Sequence, residues 1–218
     1  FARDIAGDWH AFVRNPAGGE VAFTLRLSRT GGKWQGSLVN GNDSIPSTST
    51  YFDHGRLLLS FRDWDGVLEA HLENGSWKGS FIRRYRKRTL IREFATYRNL
   101  PATQQPPTVE VSGEWILTSQ EEGKTILYRA LLRQQGTRLE GTLVPVSGDW
   151  GNMTGSVTQN KITLSRFDGI RALLLEASLQ PNGLLEGKLN TIYPVEGRRH
   201  SESTTAAPDA RSYTLFRT

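Results

Sequence analysis

The stretch Ile5-Ala6-Gly7-Asp8-Trp9 returns as Val111-Ser112-Gly113-Glu114-Trp115, and each copy opens a segment of similar layout. Behind the first copy, Phe23, Leu25 and Leu27 alternate with Ala22, Thr24, Arg26 and Ser28, the period of a strand with one buried face. Leu57, Leu59 and Phe61 share a face in the same way, as do Leu68, Ala70 and Leu72. Between these runs stand turn residues: Thr30-Gly31-Gly32-Lys33, Asn40-Gly41-Asn42-Asp43, Asp63-Trp64-Asp65-Gly66 and Asn74-Gly75. No apolar period of 3.6 residues extends over helical length, so the pattern predicts a β meander.

The second copy follows the same plan. Gly136-Thr137-Arg138-Leu139-Glu140-Gly141 answers Gly31-Gly32-Lys33-Trp34-Gln35-Gly36, Leu175-Glu176-Ala177 answers Leu68-Glu69-Ala70, and Gly187 answers Gly79. The ordered matches imply an internal duplication with insertions confined to loops. Residues 101–112, rich in proline and polar side chains, are expected to link a first unit at 1–100 to a second at 113–218. Thr191 to Arg211 has the composition of a long surface loop before a final strand ending in Phe216-Arg217.

Many short strands separated by turns fit a sandwich or a barrel. Each unit ends in an aromatic–Arg pair, Tyr97-Arg98 and Phe216-Arg217, and begins with Gly-x-Trp. If the last strand pairs with the first, Arg98 should lie near Trp9 and Arg217 near Trp115, each a cation–π contact. Closure would also remove exposed sheet edges. The expected fold is therefore all-β, with two tandem antiparallel meander β-barrels.

This pairing of Gly-x-Trp with a terminal Arg resembles the calycin barrels, the group of the lipocalins, fatty-acid-binding proteins and avidins. A second resemblance rests on Gly7-Asp8-Trp9, Phe23-Thr24-Leu25, Leu38-Val39-Asn40-Gly41, Leu57 to Phe61 and Gly75-Ser76-Trp77-Lys78-Gly79. That order is similar to the β-rich N-terminal regions of secreted bacterial thiol–disulfide oxidoreductases of the TlpA-like or redoxin type. The resemblance implies a non-catalytic accessory module of an extracytoplasmic thioredoxin-like protein, periplasmic or secreted, partnered by a protein or an attached catalytic domain. It departs from that family in lacking any Cys-x-x-Cys, because the chain has no cysteine.

Chemistry-bearing residues are sparse. The histidines, His10, His54, His71 and His200, do not fall at metal-ligand spacing, and no metal or cofactor is expected. Asp63, Asp65 and Asp168 read as turn residues before paired acids. Trp34, Phe61 and Trp77 either line a cavity for a small apolar ligand or fill a core. Arg83, Arg84 and Arg86 belong to a run continuing to Arg92 that either binds anions or forms a solvated hairpin. The formal net charge of +5 lies wholly in the first hundred residues. Nucleic acid is nevertheless not the expected partner. No apolar run approaches the ~18 residues of a membrane-spanning helix.

Overall fold

The computed structural model describes residues 5–97 and 105–200. The first unit contains nine strands: β1 (Gly7–Arg14), β2 (Glu20–Thr30), β3 (Lys33–Asn40), β4 (Asp43–Pro46), β5 (Ser49–Asp53), β6 (Arg56–Phe61), β7 (Gly66–Glu73), β8 (Ser76–Tyr85) and β9 (Arg88–Thr96). A short 3-10 turn, Arg62–Trp64, joins β6 to β7. Among the described residues the second unit has eight: β10 (Gly113–Glu121), β11 (Lys124–Gln135), β12 (Arg138–Pro145), β13 (Met153–Thr158), β14 (Lys161–Phe167), β15 (Ala172–Leu179), β16 (Leu185–Leu189) and β17 (Tyr193–Arg199).

The second unit is a closed eight-stranded antiparallel barrel, and its seam is the pairing of β10 with β17. The first is not closed. Its sheet runs β4-β3-β2-β1-β9-β8-β7-β6-β5 and curls into a half-barrel. The edge strands β4 and β5 do not form a ladder, and the chain turns a corner between them at Ser47-Thr48. Pro46 has no N–H to give to a continuing ladder. Side chains and the corner backbone take over: Ser47 N donates to Gly36 O at 2.8 Å, and Gly36 N donates to Thr50 Oγ1 at 2.8 Å. The expectation of two closed barrels therefore holds for the second unit alone.

Both Gly-x-Trp motifs adopt one geometry. Gly7 (φ 126°) and Gly113 (φ 115°) occupy backbone conformations that residues with a Cβ rarely adopt. The following Trp then folds its indole back, Trp9 Nε1 donating to Ile5 O at 3.0 Å and Trp115 Nε1 to Val111 O at 2.9 Å. The intervening acid pairs with an Arg on the next strand in each unit: Asp8 with Arg26, and Glu114 with Arg129. A bidentate pair of this kind fixes the first two strands of each unit.

The strand expected to close the second unit, ending in Phe216-Arg217, lies outside the described residues. The strand that closes the barrel is Tyr193–Arg199, within the segment expected to be a loop, and Arg199 stands directly opposite Trp115. Its guanidinium lies 4.6 Å from the indole centroid and also donates to Ser112 O and Glu110 O. Such a stack contributes roughly 0.5–2 kcal/mol. Arg98 and Arg217 lie outside the described residues. Trp9 meets Trp77 edge-on at 6.0 Å. Residues 106–111 dock on the second barrel, with Thr108 N donating to Gln159 O at 2.9 Å and Val111 fully buried.

The two units share a core. Phe167, at the end of β14, enters the half-barrel and packs against Phe23 (5.0 Å between centroids) and Phe81 (4.9 Å), with Leu174 of β15 beside it. Its backbone N and O are both bonded by the side chain of fully buried Asn40, at 3.0 and 2.9 Å. Ser165 Oγ donates to Ala22 O at 2.9 Å, and Arg166 Nη1 reaches Asp43 Oδ2 at 2.6 Å and Asn152 O at 2.8 Å. The second barrel thus plugs the concavity that the first unit leaves open.

Candidate functional site

The three aromatic residues proposed from sequence to line a cavity or fill a core lie in the first unit. Trp77 and Phe61 are almost wholly buried, at 0% and 1% exposure. Trp77 contacts Phe52 at 6.0 Å, and Phe61 contacts Trp64 at 5.4 Å and Phe81 at 6.0 Å. Trp34 is half-buried and meets Phe52 at 5.7 Å. The rings fall into two contacting groups, one around Trp77 and one around Phe61, within a single hydrophobic cluster. Within the second unit, Trp150 packs on Tyr128 at 5.1 Å.

The acids and histidines are dispersed. His54 forms an exposed ion pair with Asp53 at 2.6 Å, and His71 is exposed on β7. Asp65 adopts the left-handed conformation (φ 50°) that ends the 3-10 turn. Asp168 is buried, its Oδ1 accepting the backbone N–H of Ile170 at 2.9 Å and of Arg171 at 2.6 Å. Both are turn chemistry. Among the described residues no group of three or more His, Asp or Glu is arranged to hold a metal ion, and no helix is long and apolar enough to cross a membrane.

A cleft of about 600 Å³ lies between the units, lined by Phe12, Gly19, Glu20, Tyr97, Thr163 and Glu176 among others. The Tyr97 hydroxyl donates to Glu20 Oε2. Burial, and then the adjacent Glu20 carboxylate, push the Tyr97 phenol up to about 12. The neutral phenol is thus favoured in the folded chain. Its contribution is fully present below the unfolded value near 10 and lost as pH rises through about 12. Burial also raises Tyr128, whose hydroxyl donates to Glu121. Tyrosinate absorbance during alkaline titration is expected to show two phenols ionising late, and Tyr97→Phe to remove the earlier of them. Unchanged late ionisation in that variant would place the shift elsewhere.

The basic run forms the β8–β9 ribbon. Arg86 (φ 54°) and Lys87 make its two-residue turn. The guanidinium groups of Arg83 and Arg86 lie over the Tyr85 ring at 5.1 and 5.2 Å. Arg84 is exposed and projects from the opposite face. The ribbon outruns its neighbours, because β7 begins only opposite Arg83 and β1 reaches only to Phe94. Sequence reading missed Asn40 and Phe167 as determinants of the junction. The only sequence trace of Asn40 was its place in an Asn-Gly turn.

Comparison with protein-family models, with curated proteins and with solved structures found no match to this chain.

Proposed function

We propose that this chain is a non-catalytic interaction module, a fused pair of calycin-like β units serving as the accessory region of an extracytoplasmic thioredoxin-like protein. The observation that carries the interaction reading is the filled interior of the first unit. Phe52 meets Trp77 and Phe61 meets Phe81 within one hydrophobic cluster there, and Phe167 of the second unit occupies its mouth. With the interior occupied, the outer faces are what remains to engage a partner. Burying Phe167 and Leu174 in the first unit's core also couples the two units, so a partner meets a surface of fixed shape. The thioredoxin-like attachment is supported by the sequence resemblance of residues 5–82 alone.

Titration with fatty-acid and flavonoid-type probes tests the first part of this reading. Tryptophan fluorescence is expected to show no saturable quenching. Saturable quenching at one probe per chain would favour a carrier of small apolar ligands instead. The attachment is tested by the gene, whose reading frame is expected to continue past Thr218 into a Cys-x-x-Cys domain. A stop codon there would remove the thioredoxin-like parent and leave the interaction module standing.

A further inference from the structure

Between Ile82 and Arg92 the chain carries six cations, Arg83, Arg84, Arg86, Lys87, Arg88 and Arg92, and no acid. Elsewhere guanidinium groups are commonly matched by carboxylates: Arg14 by Glu20 and Glu93, Arg26 by Asp8, Arg56 by Glu69. In the ribbon none of the six forms an ion pair with a described residue. Strand alternation divides them. Phe81, Arg83 and Tyr85 share the concave face with their partners Arg92, Leu90 and Arg88, because cross-strand partners project to the same side.

Arg83 and Arg92 are diagonal neighbours on that face, with backbone positions roughly 7–8 Å apart. Arg83 is held in place, its Nε donating to Trp64 O at 3.4 Å and its guanidinium carbon 5.1 Å from the Tyr85 ring centroid, and its terminal nitrogens bond no described residue. Arg92 is half-buried, and its Nε is sealed from water without any hydrogen-bond partner. An unpartnered buried donor is costly, and a guanidinium cannot relieve the cost by losing its proton. That Nε is closed to solvent, so an anion from solution meets Arg92 through its terminal nitrogens, which are not among the sealed atoms.

The carboxylate that attracts Arg92 is Asp168, and it is already engaged. Its Oδ1 takes two backbone N–H groups, and its Oδ2 faces Arg166 Nε at 3.7 Å and Arg171 Nε at 3.6 Å. Asp43 is likewise bound to Arg166. Around the junction, the four guanidinium groups of Arg83, Arg92, Arg166 and Arg171 stand against the three carboxylates of Asp43, Asp149 and Asp168, so positive charge is in excess.

We propose that the concave face of the ribbon at Arg83 and Arg92 is a binding site for a tetrahedral oxyanion, phosphate or sulfate, free or as a monoester. Two planar forks, one of them already anchored, suit the several oxygens of such a group better than a single carboxylate or a halide. This assignment builds on the interaction-module reading by giving its outer surface a chemistry.

The test is thermal unfolding of the whole chain in phosphate against chloride at matched ionic strength. Phosphate is expected to raise the midpoint saturably, by about 2–5 °C. Arg92→Leu is expected to unfold in chloride no earlier than the parent and to lose the phosphate increment. Arg92→Lys, which keeps the charge without the fork, should keep only a minor part of it. Arg84→Leu, on the opposite face, should keep all of it. Equal midpoints in phosphate and chloride would overturn the assignment, as would equal losses in the Arg84 and Arg92 variants. Should Arg92→Leu fail to fold, the Arg92 Nε–H resonance of the parent decides, by shifting saturably with phosphate or not shifting. Phenyl phosphate in place of phosphate separates monoester from free-ion recognition, a larger increment marking the ester and an equal one the free ion. A negative result leaves the apolar-probe experiment untouched, so the two readings fail separately.

Discussion

Phe167→Ala is expected to destabilise the protein by about 3–5 kcal/mol, the usual cost of emptying a large aromatic site in a core. The effect should also be visible in the shape of unfolding. Phe167 belongs to the second barrel by sequence and to the first unit's core by contact, with Phe23 and Phe81 at 5.0 and 4.9 Å. Removing the ring leaves the half-barrel with an unfilled mouth, while the closed barrel keeps its own cluster around Trp115, Leu117 and Leu164. A single cooperative transition in the parent should therefore split in calorimetry, the first unit melting earlier. Phe167→Leu, which retains most of the volume, should lose less and split less. A loss below about 1 kcal/mol with one transition would mean that the units are not coupled through this ring.

Gly187→Ala is expected to cost about 3 kcal/mol or more, at the upper end for overpacking. A Cβ at Gly187 would stand 2.0 Å from Glu176 O and 2.5 Å from Ala177 Cα, backbone atoms of the neighbouring strand that no rotamer change can move. The same geometry recurs in the first unit, where a Cβ at Gly79 would meet Glu69 O at 1.9 Å. Gly79 and Gly187 occupy corresponding places in the two copies of the sequence pattern, as do Glu69 and Glu176, and the close strand approach is present at both. Gly183→Ala serves as the control. Gly183 has φ 83° with nothing within 4 Å of a built Cβ, so only the backbone penalty of about 1 kcal/mol applies. Denaturant unfolding of the two variants separates the causes. Equal losses would show that the approach of β16 to β15 is not what requires glycine.

The strands of the core were legible because alternation is a property of neighbouring residues. Leu57, Leu59 and Phe61 face inward wherever the sheet goes, and they are buried at 0%, 0% and 1%. The duplication was legible for the same reason, and it extends to the indole bond of each Gly-x-Trp. The closing strand was not. Tyr193–Arg199 contains Pro194 and Gly197, residues that weaken a strand in isolation. Pro194 is tolerated because the ladder to β10 begins only at Val195, so the missing N–H falls outside it. Gly197 leaves room for Leu117 on the opposing strand, whose Cδ2 would stand 2.4 Å from a Cβ at this position.

Local order in the chain thus specified the all-β class, the strand faces, the turns and the repeated Trp lock. Closure of one unit, the open curl of the other and the sharing of a core depended on partners far away in sequence. Asn40 and Phe167 are 127 residues apart, and each alone reads as an ordinary turn residue and an ordinary strand end. The same holds for the basic ribbon. Six adjacent cations are plain in the sequence, but that Arg92 has a sealed, unpartnered Nε follows only from which carboxylates other arginines have already taken. Satisfaction of a buried polar group is a sum over everything packed around it, and no window of sequence contains that sum.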